Sequence, residues 1–411
     1  MKRRDFMRLA AASGAILLPI GRHALAASVP DAGATQKKLI VIMLRGAVDG
    51  LSVVAPYGDA EYYRVRPDIA VPKPGQENGA LDLDGYFGLN PSLSTLQPLW
   101  QQGKLAFVHA SGSPDITRSH FDAQDYLESG TPGRKATQDG WMNRLLGQMS
   151  GPITPTRAVS VGPVMPRILT GKIEASNIAS GSAAARPTLL DRPQVNKAFS
   201  QMYQGDDKYS KSFQQAQEAH KEVMGSLDDE MKAANGGAPL PNGFPDDAQR
   251  LAHLMRNDRN VQFAFMALGG WDTHVNQGTV KGQLANRLDP LGTGLATLAR
   301  ELGPTFDDTT IVVMSEFGRT VRQNGNHGTD HGHGNVMWLL GGAVNGGKVY
   351  ADWQGLDNAH LYEGRDVPVT TDFRWVLAQI AERHLRLPDA ALQQVFPELP
   401  GRMPGFNLMR A

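Results

Sequence analysis

Six consecutive apolar residues, Leu39-Ile40-Val41-Ile42-Met43-Leu44, run without a polar break between Lys38 and Arg45-Gly46. A strand with no polar face must be covered on both sides, as it is in a parallel sheet layered between helices. Similar runs follow: residues 104–110 read as a second strand, 261–268 as a third, 309–314 as a fourth and 336–340 as a fifth. Helical segments are expected between and after them, at 93–102, 119–128, 247–257, 282–302 with a break near Pro290, and 372–386. Strands alternating with helices predict an α/β domain, its mostly parallel sheet flanked by helices.

Residues outside these runs set the domain organisation. Lys2-Arg3-Arg4-Asp5-Phe6, a mild apolar run at 9–20 and Ala24-Leu25-Ala26 have the order of a twin-arginine signal peptide, expected to end at residue 26. Residues 27–37 read as a polar lead-in, and 38–149 and 246–411 as two parts of the α/β domain. Between them, 150–245 is rich in Gly, Ser, Ala and Pro, with a helical look at 210–234, and reads as a mainly helical and loop insertion or cap. The expected location is periplasmic or extracellular, by a route that carries folded proteins with a metal or cofactor already in place. No later run is apolar enough to cross a bilayer, so no transmembrane anchor is expected after cleavage.

Composition removes several kinds of function. Lys and Arg number 41, as do Asp and Glu, which leaves no electrostatic case for nucleic acid. There is no cysteine, which excludes disulfides, thiolate zinc sites and cysteine nucleophiles. A metal must be held by His, Asp, Glu or hydroxyl groups.

In open parallel sheets, ligands bind beyond the carboxyl ends of the strands. The reactive residues of this chain fall there. Arg45-Gly46-Ala47-Val48-Asp49-Gly50 follows the first strand, and Gly269-Gly270-Trp271-Asp272-Thr273-His274 the strand ending at Leu268. Ser315-Glu316-Phe317-Gly318-Arg319-Thr320 follows Met314, and the glycine-interleaved run His327-Gly328-Thr329-Asp330-His331-Gly332-His333-Gly334 precedes Val336. Carboxylates and imidazoles gathered from several strand ends form the oxygen and nitrogen site expected for a divalent ion, zinc first, with manganese or calcium as alternatives. Thr117-Arg118-Ser119-His120-Phe121-Asp122 opens a helix. A hydroxyl at a helix N-terminus lies in a field that favours an anionic nucleophile and oxyanions, which makes Ser119 the candidate nucleophile and Thr117 the second choice. The same Ser119 also suits a plain helix cap.

The order of these motifs resembles that of the alkaline phosphatase and sulfatase superfamily, and most closely its exported members known as the domain of unknown function 1501 family. The resemblance implies an alkaline-phosphatase-like fold and a metal-dependent hydrolase of phosphate or sulfate esters, on a small-molecule or polysaccharide substrate. It places Asp49, Asp272, His274, Glu316 and His331 or His333 among the metal ligands, and Ser119 at the attacking hydroxyl. Arg45, Arg118 or Arg319 then serves the ester oxygens. Two departures stand out. Phe317 replaces a histidine ligand of the superfamily, a gap that His120 or His327 could fill, and Asp272 and His274 are more closely spaced than usual. A sulfatase maturation motif is absent near Ser119. These departures keep a second expectation open, an inactive relative that serves as a binding or assembly protein of the envelope, with a protein partner there.

Overall fold

The computed structural model describes residues 36–178, 180, 234–399, 401 and 405–410. The leader, the lead-in as far as residue 35 and the helical reading of 210–233 lie outside the described residues.

Among the described residues, twelve strands form in chain order: β1 Lys38–Leu44, β2 Val54–Ala55, β3 Leu81–Asp82, β4 Gly88–Leu89, β5 Leu105–Gly112, β6 Ala158–Val161, β7 Ser176–Ile178, β8 Phe263–Leu268, β9 Thr309–Ser315, β10 Asn335–Gly341, β11 Lys348–Tyr350 and β12 Thr371–Asp372. Nine make one sheet in the order β11-β5-β10-β9-β1-β8-β6-β7, with β12 also on β5, and β2, β4 and β3 make a small sheet of their own. Helices pack on the large sheet, and its pairings are parallel except those of β10, which runs against both β5 and β9. The mostly parallel α/β reading therefore holds.

Period-2 geometry explains why an all-apolar strand suits the centre. Ile40, Ile42 and Leu44 enter one core, with Met266, Val313 and Trp338, and Leu39, Val41 and Met43 enter the other, with Phe265, Val312 and Leu339. Helices Phe244–Asn257 and Ala285–Leu302 supply Leu251, Met255, Leu291 and Leu295 to the first core. Helices Trp141–Gln148 and Phe373–Gln379 supply Trp141, Leu145, Val376 and Leu377 to the second.

Three local expectations change. Helix Ala285–Leu302 continues through Pro290. Proline near a helix start forfeits one backbone bond, and the buried stripe of Leu288, Leu291, Leu295 and Leu298 holds the helix across it. The C-terminal helix stops being α-helical at Gln379, and Ile380–His384 continues it as one π turn. The stretch read as an insertion places β6 in the main sheet, parallel to β8.

The reversal of β10 decides which loops share an edge. Because β10 is antiparallel, the loop before it opens on the same edge as the loops after β1, β8 and β9. Ser111, near the end of β5, lies opposite Asn335, so the segment leading to helix His120–Ser129 leaves from that edge too.

Candidate metal centre

Asp272 is the hub. It follows β8 through a Gly-Gly turn and is 1 % exposed. The turn after β1 presses against it: at Gly46, where φ is 111°, a Cβ would meet the Asp272 backbone nitrogen at 2.7 Å, which only glycine avoids. Arg319 clamps the hub from behind. Its guanidinium donates to Asp272 Oδ1 at 2.5 Å, to the carbonyls of Gly46 and Ala47 at 2.6 Å and to that of Thr329 at 3.1 Å. It is fully buried, so Arg319 orients the carboxylate and does not face a ligand.

Three imidazoles close on the other side. His274 Nε2 lies 2.9 Å and His331 Nε2 3.4 Å from Asp272 Oδ1, and His120 Nε2 lies 3.6 Å from Oδ2. His331 Nε2 is 3.0 Å from His120 Nε2 and 3.1 Å from His274 Nε2. Each ring turns its other nitrogen outward to an acceptor: His120 Nδ1 to Glu316 Oε1 at 2.8 Å, His331 Nδ1 to the Arg118 carbonyl at 3.0 Å, and His274 Nδ1 to Asp330 Oδ1 at 3.3 Å. An outer acceptor takes the Nδ1 proton and leaves the Nε2 lone pair facing inward. With the rings neutral, three nitrogen donors turn toward one point, His331 Nε2 lying within hydrogen-bond distance of both neighbours.

Asp272 Oδ2 is buried with no hydrogen-bond partner among the described residues, and an orphaned carboxylate oxygen in such a place is costly. A cation would give Asp272 Oδ2 a partner and draw the ring nitrogens to one point. Tetrahedral zinc at ~2.0–2.1 Å from each donor puts neighbouring donors about 3.3 Å apart, close to the spacings here. His120, Asp272 and His331 offer donor atoms all within 4.8 Å of one another, and His274 adjoins them.

The electrostatics agree with a hub carboxylate among imidazoles. Burial pushes Asp272 up, yet His120, His274, His331 and Arg319 together hold its carboxyl well below the usual range. Burial pulls His120 down, but Asp272 and Glu316 outweigh it and hold the ring up to about 9. Glu316 is itself held down to about 2, with His120 and Gln124 overcoming its burial.

The other expected site residues divide between this centre and partners elsewhere. Glu316 is an outer support: besides His120 it accepts from the Gly46 backbone at 2.7 Å and from Gln124 at 2.9 Å. Asp49 is occupied elsewhere, in a two-point ion pair with buried Arg66 at 2.6 and 3.0 Å, and it also accepts from Ser52 and Gln277. His333 packs on Tyr362 with centroids 4.7 Å apart and the rings tilted by 31°, and makes no hydrogen bond to the cluster. Ser119 caps helix His120–Ser129, accepting weakly from the Asp122 backbone at 3.5 Å, and is exposed. Arg118 pairs with Glu363 and Asp366. Of the two histidines offered in place of Phe317, His120 enters the centre, whereas His327 lies exposed on Asp68. Phe317 packs on His120 and His331 with centroids 4.8 and 5.1 Å away.

Sequence reasoning missed Arg66 and Gln277. Gln277 donates to Asp49 and accepts from Thr273 and Thr329, tying the turn after β1 to both ligand loops. No local pattern announces either residue. His120 was available from the sequence as one of two substitutes for the ligand that Phe317 displaces.

Among known proteins, the family described as protein of unknown function (DUF1501) matches residues 100–396. No curated protein matches the chain. Solved structures resemble it loosely. The zinc complex of the C-terminal periplasmic domain of EcEptC from Escherichia coli is 9 % identical with a TM-score of 0.38, over 76 % of this chain and 74 % of that one. The lipoteichoic acid synthase LtaP from Listeria monocytogenes is 9 % identical with a TM-score of 0.38, over 87 % and 74 %. A protein in the alkaline phosphatase superfamily from Vibrio parahaemolyticus is 11 % identical with a TM-score of 0.37, over 77 % of this chain and 63 % of that one, less than two thirds of its length.

Proposed function

The chain belongs to the DUF1501 family, and on that premise we propose that it is an exported, metal-dependent hydrolase of phosphate or sulfate esters. The observation that carries this reading is the convergence of three imidazole Nε2 atoms on Asp272, whose Oδ2 has no hydrogen-bond partner among the described residues.

His120, Asp272, His274 and His331 would hold the ion, and zinc fits their nitrogen and oxygen donors. A divalent ion bound there supplies Lewis acidity to an ester oxygen. The protein's own groups do the rest. Glu316, Asp330 and the Arg118 carbonyl fix the three rings, and Arg319 fixes the carboxylate. Ser119, one residue before His120 and at the positive end of its helix, is the nucleophile, with Thr117 behind it. Its oxygen bonds to phosphorus or sulfur, the alcohol leaves, and water then releases the acid from Ser119. Arg118 is partly exposed at the same rim, and among the described residues only its Nη2 is engaged, by Glu363 and Asp366, which leaves its other donors for ester oxygens. Arg66 on Asp49 and Phe317 against two of the rings favour a single ion over two.

Export rests on the twin-arginine leader. Among the described residues, no helix is long and apolar enough to cross a membrane.

A second reading has its own observation: Ser119 already serves as a helix cap, which suits a metal-holding binding protein of the envelope. One experiment separates them. Metal content is measured on protein purified without chelator, together with turnover of phosphate mono- and diesters and sulfate esters. About one equivalent of metal is expected. Asp272→Ala with His331→Ala abolishes metal and turnover together, and Ser119→Ala abolishes turnover alone. Metal without turnover on any ester class selects the binding protein, and no metal under any loading condition sinks both.

A further inference from the structure

A groove of about 300 Å³ lies beside the metal centre, at the small end of the range for ligand clefts. Asp330 joins the two, lining the groove while reaching His274 Nδ1 at 3.3 Å. Much of the polar lining is already satisfied from within. Gln323 is bonded to Asp68 through both ends of its amide. Asn324 donates to Asp330 and the His274 carbonyl, and its oxygen accepts from the Asn326 and Gly328 backbones.

What remains is a specific set. Arg322 and Asn358 line the groove and make no hydrogen bond among the described residues. Glu61, the carboxylate that feels Arg322, is paired with Arg64. Arg365 directs Nη2 to the His331 carbonyl and Nε toward Asp366, which leaves Nη1 free. Two guanidiniums with open donors match a tetrahedral oxyanion. The Asn358 amide and the second oxygen of Asp330 match hydroxyl groups. Val65, Val321 and Leu361 supply apolar contact between them.

We propose that this groove binds the non-reacting body of the substrate, a polyhydroxyl compound of carbohydrate type that carries a further sulfate or phosphate group. The proposal rests on the ester-hydrolase reading for the identity of the compound as substrate, but binding in the groove does not need the metal. Arg322 and Arg365 take the second oxyanion, Asn358 and Asp330 take hydroxyls, and the ester to be cleaved extends past Asp330 toward His274.

The test is calorimetric titration of the full chain with one disaccharide in three forms, sulfated, phosphorylated and neutral, with inorganic sulfate and phosphate as references. The charged sugars are expected to bind at least about tenfold more tightly than the neutral form and than the free anions, and Arg322→Ala is expected to remove about tenfold from the charged forms only. The better of the two charged arms identifies the oxyanion. Asp272→Ala with His331→Ala keeps the binding, so a failure of the hydrolase reading leaves this result standing. Equal affinity for charged and neutral sugar, no loss in Arg322→Ala, or no binding by any sugar overturns the proposal.

Discussion

Asp49 and Asp272 follow neighbouring strands, β1 and β8, and both are 1 % exposed, yet their surroundings are opposite. Asp49 meets Arg66 at two points and accepts from Ser52 and Gln277, so its charge and both of its oxygens are satisfied by the chain. Asp272 meets Arg319, His274 and His331 through Oδ1, while Oδ2, with His120 3.6 Å away, has no hydrogen-bond partner among the described residues. A buried carboxylate with its own arginine is a structural element. One left half-satisfied among converging ring nitrogens is a group that could hold a metal ion.

The sharpest way to break that contrast is Arg66→Met, which leaves Asp49 buried and unpaired. It should cost about 3–5 kcal/mol in chemical denaturation while bound metal stays near one equivalent. Loss of metal with little loss of stability would mean that Asp49 belongs to the centre after all.

Acid provides the next test, by way of imidazoles that have no place in the cluster. Burial holds His109 and His384 down to about 4 from an ordinary 6.5. His109 donates to the Val54 carbonyl and accepts from the Ala110 backbone, so a second ring proton has no acceptor. His384 donates to the Lys38 carbonyl, and its Nδ1 is buried without a partner among the described residues. Below pH 6.5 the unfolded chain takes up protons that the folded chain refuses. Stability is therefore full above about 6.5 and falls toward pH 4, by roughly 3 kcal/mol for each ring. Denaturant melts across that window measure it, and a flat profile would refute it.

The smallest effect is expected one layer out from the ion. Glu316→Gln keeps an acceptor for His120 Nδ1 but removes its charge. Metal affinity, read by chelator competition, should fall by about 10–100-fold with folding intact. No change would place Glu316 outside the centre's support.

Much of this was legible in the chain. An unbroken apolar β1 required cover on both faces, and Asp272, His274 and His331 stood out by their positions at strand ends. Ser119 was read both as a hydroxyl at a helix start and as a cap, and it caps the helix. The division of roles among similar residues was not legible. Asp49 and Asp272 look alike as loop aspartates after apolar strands, and His331 and His333 are two residues apart with glycine between them. The extra member of the cluster, His120, is one of two substitutes for a missing ligand in the sequence, and the departure of the segment after β5 from the shared edge selects it.

By itself, the sequence determined the layering of the sheet, because hydrophobic period and run length are local properties that burial must respect. It also determined the chemistry of any metal site, because a chain without cysteine offers only nitrogen and oxygen donors. Tertiary structure alone decided which donors meet. The antiparallel turn of β10, the close approach that Gly46 permits and the capture of Asp49 by Arg66 depend on contacts between residues far apart in the chain. Partner choice for a buried charge is a property of that packing, with no local signal in the sequence around it.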